Sequence, residues 1–66
     1  MNPKYIKEIL LNLANACEKR RQNVETQRSK TFPTEAKYDR YITREDTLRD
    51  FRDVFHDAAM KFSDPQ

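Results

Sequence analysis

The sequence predicts an all-α protein, an antiparallel hairpin of two helices that completes its core by forming a homodimer. Glycine is absent from the 66 residues, so tight strand hairpins and glycine-capped turns are disfavoured. Apolar residues recur at helical spacing in two long segments, separated by a segment that contains Pro33. A chain this short has room for one small domain, residues 1–66, whose stability is marginal without a partner.

The first helix is predicted over about residues 3–28. Asn2 is a suitable N-cap, and Pro3 fits the first helical position because no amide hydrogen bond is lost there. An apolar arc follows at spacings of three and four residues. Its members are Ile6, Ile9, Leu10, Leu13, Ala16, Cys17 and Val24. Pro33 ends this segment, because the residue before a proline is kept out of helical geometry.

The connection over residues 31–42 has the weakest pattern in the chain. It is long for a link between two helices, so a short third helix around residues 35–40 and a structured loop are both open. Tyr38 and Tyr41 lie here among charged residues. Tyrosines in such a place pack their rings on the core, although a mixture of aromatic and basic side chains can also stack on bases.

The second helix is predicted over about residues 43–62. Thr43 and Asp46 resemble a capping box at its start. An apolar stripe follows, made of Leu48, Phe51, Phe55, Ala58 and Phe62, with Val54 and Ala59 at its edges. This stripe needs more cover than the first helix supplies, which favours pairing of two hairpins into a four-helix bundle. The predicted core and dimer interface comprises Leu48, Phe51, Phe55, Phe62, Ile6, Leu10 and Leu13.

The sequence offers no catalytic constellation. Cys17 and His56 are the only cysteine and histidine, which excludes a disulfide within the chain and a cysteine–histidine zinc site. Phosphate-binding loops that need glycine are excluded as well. No apolar run reaches the length of a membrane span, and no signal peptide is recognisable. We therefore expect a cytoplasmic protein that is not an enzyme and has no cofactor, metal ion or membrane partner.

Basic residues concentrate towards the end of the first helix. Residues 1–30 hold seven basic and three acidic side chains, whereas residues 31–66 hold six and eight. The candidates for contact with nucleic acid are Lys19, Arg20, Arg21, Arg28 and Lys30. The first three point in different directions on a helical wheel, so a solvated, ion-paired helix is the simpler interpretation. Arg20 falls on the apolar arc, and we expect it to extend past the core edge or to pair with Glu45 or Asp46.

A row of aspartates lies opposite the phenylalanine stripe: Asp46, Asp50, Asp53 and Asp57. The row spans about 16 Å at about 1.5 Å per residue, too extended for its carboxylates to converge on a metal ion. A solvated face is the simpler interpretation, and a ridge that docks on a basic partner is the alternative. Leu11 and Met60 lie off their stripes and are further candidates for partner docking.

These observations predict a protein–protein interaction module whose partner the sequence does not name. Its size and composition are typical of small regulators or inhibitors, of the type found in phages and mobile elements, that dock on a larger protein. The alternative is a small DNA- or RNA-binding protein that uses the basic end of the first helix and the Tyr38–Tyr41 connection.

Overall fold

The structure is a computed structural model and describes residues 2–62. It consists of two helices, α1 (Pro3–Ser29) and α2 (Ala36–Met60), which pack against each other in antiparallel directions. No strand occurs among the residues that the structure describes. The molecule measures 52 × 17 × 13 Å, as expected for two long helices side by side. The predicted all-α hairpin of two helices is confirmed.

Helix α1 begins where its sequence predicts. The Oδ1 atom of Asn2 accepts a hydrogen bond from the backbone N–H of Lys4 at 2.9 Å, which confirms the predicted N-cap. The helix ends at Ser29, one residue beyond the predicted range, and the backbone N–H of Lys30 bonds back to the last turn.

Helix α2 begins at Ala36, and the start predicted at Thr43 is wrong. Thr43 and Asp46 lie inside the helix, so they do not form its cap. The turn between the helices is shorter than predicted. Within it, a carboxylate oxygen of Glu35 accepts a hydrogen bond from the backbone N–H of Phe32 at 2.9 Å.

Packing against α1 explains why α2 extends through the predicted connection. Tyr38 and Tyr41 are half-buried, and they continue the three-and-four spacing of Glu45 and Leu48 towards the turn. Tyr38 contacts Arg28 of α1. These contacts are available only if residues 36–42 are helical, so the tertiary contacts override the capping signal at Thr43.

The two helices meet along a line that we call the seam, whose buried residues are small or charged. Ala14, Val24 and Ala59 are its buried apolar residues, and Glu45 is buried beside them. Small side chains allow the helices to approach closely. No large side chain among residues 2–62 is fully buried.

The predicted core and dimer residues are only partly covered by the hairpin itself. Phe51 and Leu13 are exposed. The remainder are half-buried, namely Ile6, Leu10, Leu48, Phe55 and Phe62. The hairpin therefore leaves a large part of its apolar surface in contact with solvent.

Candidate interaction surface

Two ion pairs cross the seam from α1 to α2. Arg28 Nε donates to a carboxylate oxygen of Glu45, and Arg52 Nη1 donates to Glu18 Oε2 at 2.6 Å. The Arg28 guanidinium also lies 5.8 Å from the centroid of the Tyr38 ring and donates to the Tyr38 hydroxyl at 3.4 Å. The seam is thus held by charge as well as by its few buried alanine and valine side chains.

Glu18 is the most strongly bonded carboxylate of the seam. It accepts hydrogen bonds from Arg21 Nη2 at 2.6 Å and from Arg52 Nη1 at 2.6 Å. The bond from Arg21, followed by the bond from Arg52, lowers the pKa of Glu18 from 4.5 to about 2. The same bonds raise the pKa of Arg21 and Arg52, and the bond to Glu45 raises the pKa of Arg28.

The apolar residues of both helices face one side of the hairpin. At about 100° per residue, the apolar arc of α1 lies roughly a quarter turn from seam residues such as Ala14 and Arg21. The stripe of α2 is displaced by a similar angle from Glu45 and Arg52. Because the helices run antiparallel, both displacements lead to the same side. We call this side the open face.

The open face has a large exposed apolar component. Its most exposed apolar residues are Val54 (61%), Ile9 (53%), Phe51 (52%) and Leu13 (42%). Phe51 stacks on the half-buried Phe55, with the ring centroids 6.3 Å apart. Three of these residues, Ile9, Leu13 and Val54, lie towards the end of the hairpin that is opposite the turn. We call this part of the open face its apolar end.

The other part of the open face, towards the turn, is basic. A shallow groove of about 500 Å³ lies here, with Val24, Leu48 and Phe51 as its apolar lining. Arg20 of α1 and Arg44 of α2 line the same groove, together with the side-chain amides of α1. A neighbouring groove of similar volume is lined by Arg40 and Arg44. We call this part of the open face its basic end.

The arginines of the hairpin divide into two groups. Among residues 2–62, four arginines form ion pairs: Arg21, Arg28, Arg49 and Arg52. In the same part of the chain Arg20, Arg40 and Arg44 form none, although Asp39 lines the second groove beside two of them. All three arginines are exposed; Arg20 and Arg44 line the groove between the helices, whereas Arg40 lines the neighbouring groove, which α2 alone forms. Their guanidinium groups are therefore available to an incoming anion.

The five candidates for contact with nucleic acid differ in whether their side chains already form ion pairs. Arg21 and Arg28 are engaged in ion pairs, whereas the exposed residues of the set are Lys19, Arg20 and Lys30. Of the two alternatives expected for Arg20, pairing with Glu45 or Asp46 is not found among the described residues, and the side chain is exposed. Glu45 binds Arg28, because Arg28 points into the seam whereas Arg20 points to the open face.

The aspartate row is exposed on the opposite side of α2. Its members are Asp46, Asp50, Asp53 and Asp57. Asp46 pairs with Arg49 at 3.2 Å and Asp53 pairs with Arg52 at 3.0 Å, so part of the negative charge is neutralised. Met60 is 43% exposed, whereas Leu11 is half-buried.

Sequence reasoning missed Arg40 and Arg44 as candidates for a binding surface. Their positions hold a signal, because Arg44 precedes Leu48 by four residues and so extends the apolar stripe towards the turn. This position on the stripe was missed because the sequence prediction placed Arg40 in the connection over residues 31–42 and Arg44 at the start of a helix.

Comparison of the chain with family models, with curated proteins and with solved structures finds no match. Within residues 2–62, no three histidine, cysteine, aspartate or glutamate side chains are close enough to hold a metal ion together. Neither helix in this range is apolar enough along its length to cross a membrane.

Proposed function

We propose that this protein is a protein–protein interaction module that docks on a larger protein through the open face. One observation carries the proposal: large apolar side chains of both helices, including Leu13, Phe51 and Val54, are exposed together on one side. Contiguous exposed apolar patches are uncommon on monomeric proteins and mark interaction sites. The seam does not use these side chains, so their role lies outside the hairpin.

The size of the open face agrees with a stable interface. The hairpin extends over 52 × 17 Å in its two longest directions, so a partner that covers one side can bury an area comparable to the roughly 800 Å² per partner of standard interfaces. Burial of apolar surface contributes about 25 cal/mol per Å², so the side chains of the apolar end can supply a large part of the binding energy.

We further infer that the module acts by occupying its partner, as a small regulator or inhibitor does. Two helices with shallow grooves offer a surface rather than an enclosed reaction centre. The homodimer predicted from the sequence remains a prediction, and a second copy is one competing occupant of the open face.

Nucleic-acid binding is the second candidate function, and the unpaired arginines Arg20, Arg40 and Arg44 favour it. Two features favour the interaction module instead. Tyr38 and Tyr41 are half-buried, which limits their use for stacking on bases. The apolar end gives a phosphate backbone nothing to bind.

Photo-crosslinking tests the interaction module. We would replace Phe51 with benzoylphenylalanine, which preserves the aromatic ring, and place the same group at Asp57 as the matched control on the opposite side. Irradiation in a lysate of the source cells should give a protein adduct from position 51 that excess unlabelled protein suppresses. Equal adducts from both positions, or no adduct from position 51, would contradict the proposal.

Light scattering coupled to size exclusion chromatography distinguishes a different partner protein from a second copy of the chain as the occupant of the open face. A mass near 8.0 kDa for the purified chain supports a module that awaits a different partner. A mass near twice that value, together with a crosslink between copies from position 51, would assign the open face to a homodimer.

A further inference from the structure

The charged side chains that line the groove between α1 and α2 on the open face all have one sign. Arg20 and Arg44 line it and no carboxylate does. In the second groove Arg40 and Arg44 outnumber Asp39, and that carboxylate pairs with neither of them within the described chain. A partner that covers this end with apolar groups alone would desolvate guanidinium groups without compensation, which is costly.

A second copy of the chain is a poor occupant of the whole face. With the two-fold axis parallel to the helices, Arg20 and Arg44 of one copy face the same residues of the other, and like charges repel. With the axis in the plane of the face and perpendicular to the helices, the arginines fall on the apolar end of the other copy. Neither arrangement supplies a carboxylate to the basic end.

A dimer restricted to the apolar ends avoids this conflict but is small. It would cover only about half of the face, and so on the order of 400 Å² per partner, half of what a standard interface buries. Stable interfaces bury at least about 600 Å² per partner. The complete face is needed, and it needs a partner whose charge differs from its own.

We propose that the occupant of the open face is an acidic amphipathic helix of a partner protein. Its apolar side chains cover Leu13, Phe51 and Val54, and its carboxylates bind Arg20 and Arg44 at the other end. Such a helix, about 10 Å across, lies along the space between α1 and α2 and completes a three-helix bundle. The inference rests on the proposed interaction module and adds the chemistry of the partner.

Three synthetic helical peptides test this inference. They share the same leucine positions and carry glutamate, glutamine or lysine at the remaining positions. Fluorescence anisotropy of labelled peptides with the purified full chain should show that the glutamate peptide binds at least about tenfold more tightly than the glutamine peptide. The lysine peptide should bind least tightly of the three.

Substitutions test whether the basic end causes the preference for the glutamate peptide over the glutamine peptide. Arg20→Gln combined with Arg44→Gln should reduce affinity for the glutamate peptide about tenfold and leave the glutamine peptide unchanged. The matched control, Lys19→Gln with Lys30→Gln, removes the same net charge from exposed positions of α1 and its cap and should retain the preference. Circular dichroism of each variant shows whether the hairpin is still helical.

The outcomes separate this inference from the proposed function. Equal affinity for the glutamate and glutamine peptides would overturn the acidic partner and leave the interaction module standing. Failure of all three peptides to bind would overturn both. Duplex DNA that displaces the glutamate peptide at the same salt concentration would assign the basic end to nucleic acid. A dimer whose formation blocks the peptide would assign the face to a second copy.

Discussion

The seam and the open face use opposite kinds of side chain. The seam joins the two helices with alanines such as Ala14 and Ala59 and with ion pairs. The open face, which joins nothing within the hairpin, holds Leu13, Phe51 and Val54 in exposed positions. In most small domains the large apolar side chains lie between the elements and the ions lie outside.

The residues that hold the two helices together are therefore largely separate from those that the proposed partner would contact. Substitutions in the seam should change the free energy of unfolding, whereas substitutions on the open face should change binding.

Crowding the seam should give the largest loss of stability. Ala59 is completely buried where the helices meet, so Ala59→Leu forces them apart and should lower the free energy of unfolding by about 1–3 kcal/mol. Chemical denaturation followed by circular dichroism measures the change. Ala16→Leu, at an exposed position of α1, is the matched control and should have little effect. Equal losses in both variants would show that the helices do not meet at Ala59.

Removal of the buried carboxylate should have the next largest effect. Glu45→Gln leaves the Arg28 guanidinium without its charged partner at the seam, so the free energy of unfolding should fall. Asp46→Asn is the control, because its ion pair with Arg49 is exposed and such pairs contribute about 0–1 kcal/mol. A loss for Glu45→Gln no greater than the control would refute a structural role for the buried pair.

Stability should also fall in acid because of Glu18. Its pKa is lowered to about 2 in the folded chain, so the carboxylate stabilises the fold fully above about pH 4.5 and progressively less as the pH falls towards 2. Denaturation curves recorded across this range measure the loss. Glu18→Gln should lack this part of the pH dependence, whereas Glu25→Gln on the same helix should retain it. An unchanged pH profile in Glu18→Gln would contradict the assignment.

The smallest effect on stability is expected on the open face. Val54→Ser should change the free energy of unfolding by about 0.5 kcal/mol or less, because the side chain is 61% exposed. The same substitution should weaken binding of the glutamate peptide, measured by anisotropy. A large loss of stability would mean that Val54 already has a structural role inside the hairpin.

Part of this arrangement could be predicted from the sequence. The absence of glycine and the helical spacing of the apolar residues predicted two helices. Asn2 and Pro3 predicted where α1 begins, because capping depends only on neighbouring residues. The start of α2 was missed because Tyr38 contacts Arg28 of the other helix, and a capping signal does not report such contacts. A local pattern is informative only where distant contacts do not override it.

The sequence predicted which apolar residues each helix presents, but not which of them lie on the open face. A helical wheel identifies the apolar arc of each helix, including Leu13 and Phe51, but not the direction from which the other helix approaches. That direction depends on pairs such as Arg52 with Glu18, which are distant in the sequence. The wheel therefore predicted one combined core and dimer interface and did not show which of its side chains the hairpin itself leaves exposed.

The two ion pairs that cross the seam have a consequence for recognition. Glu18 and Arg28, their members on α1, are separated by about 15 Å at about 1.5 Å per residue. A slide of one helix along the other by a single turn would break both pairs at once. The two pairs therefore favour a single register of the helices, and a fixed register lowers the conformational entropy that is lost when a partner binds the open face.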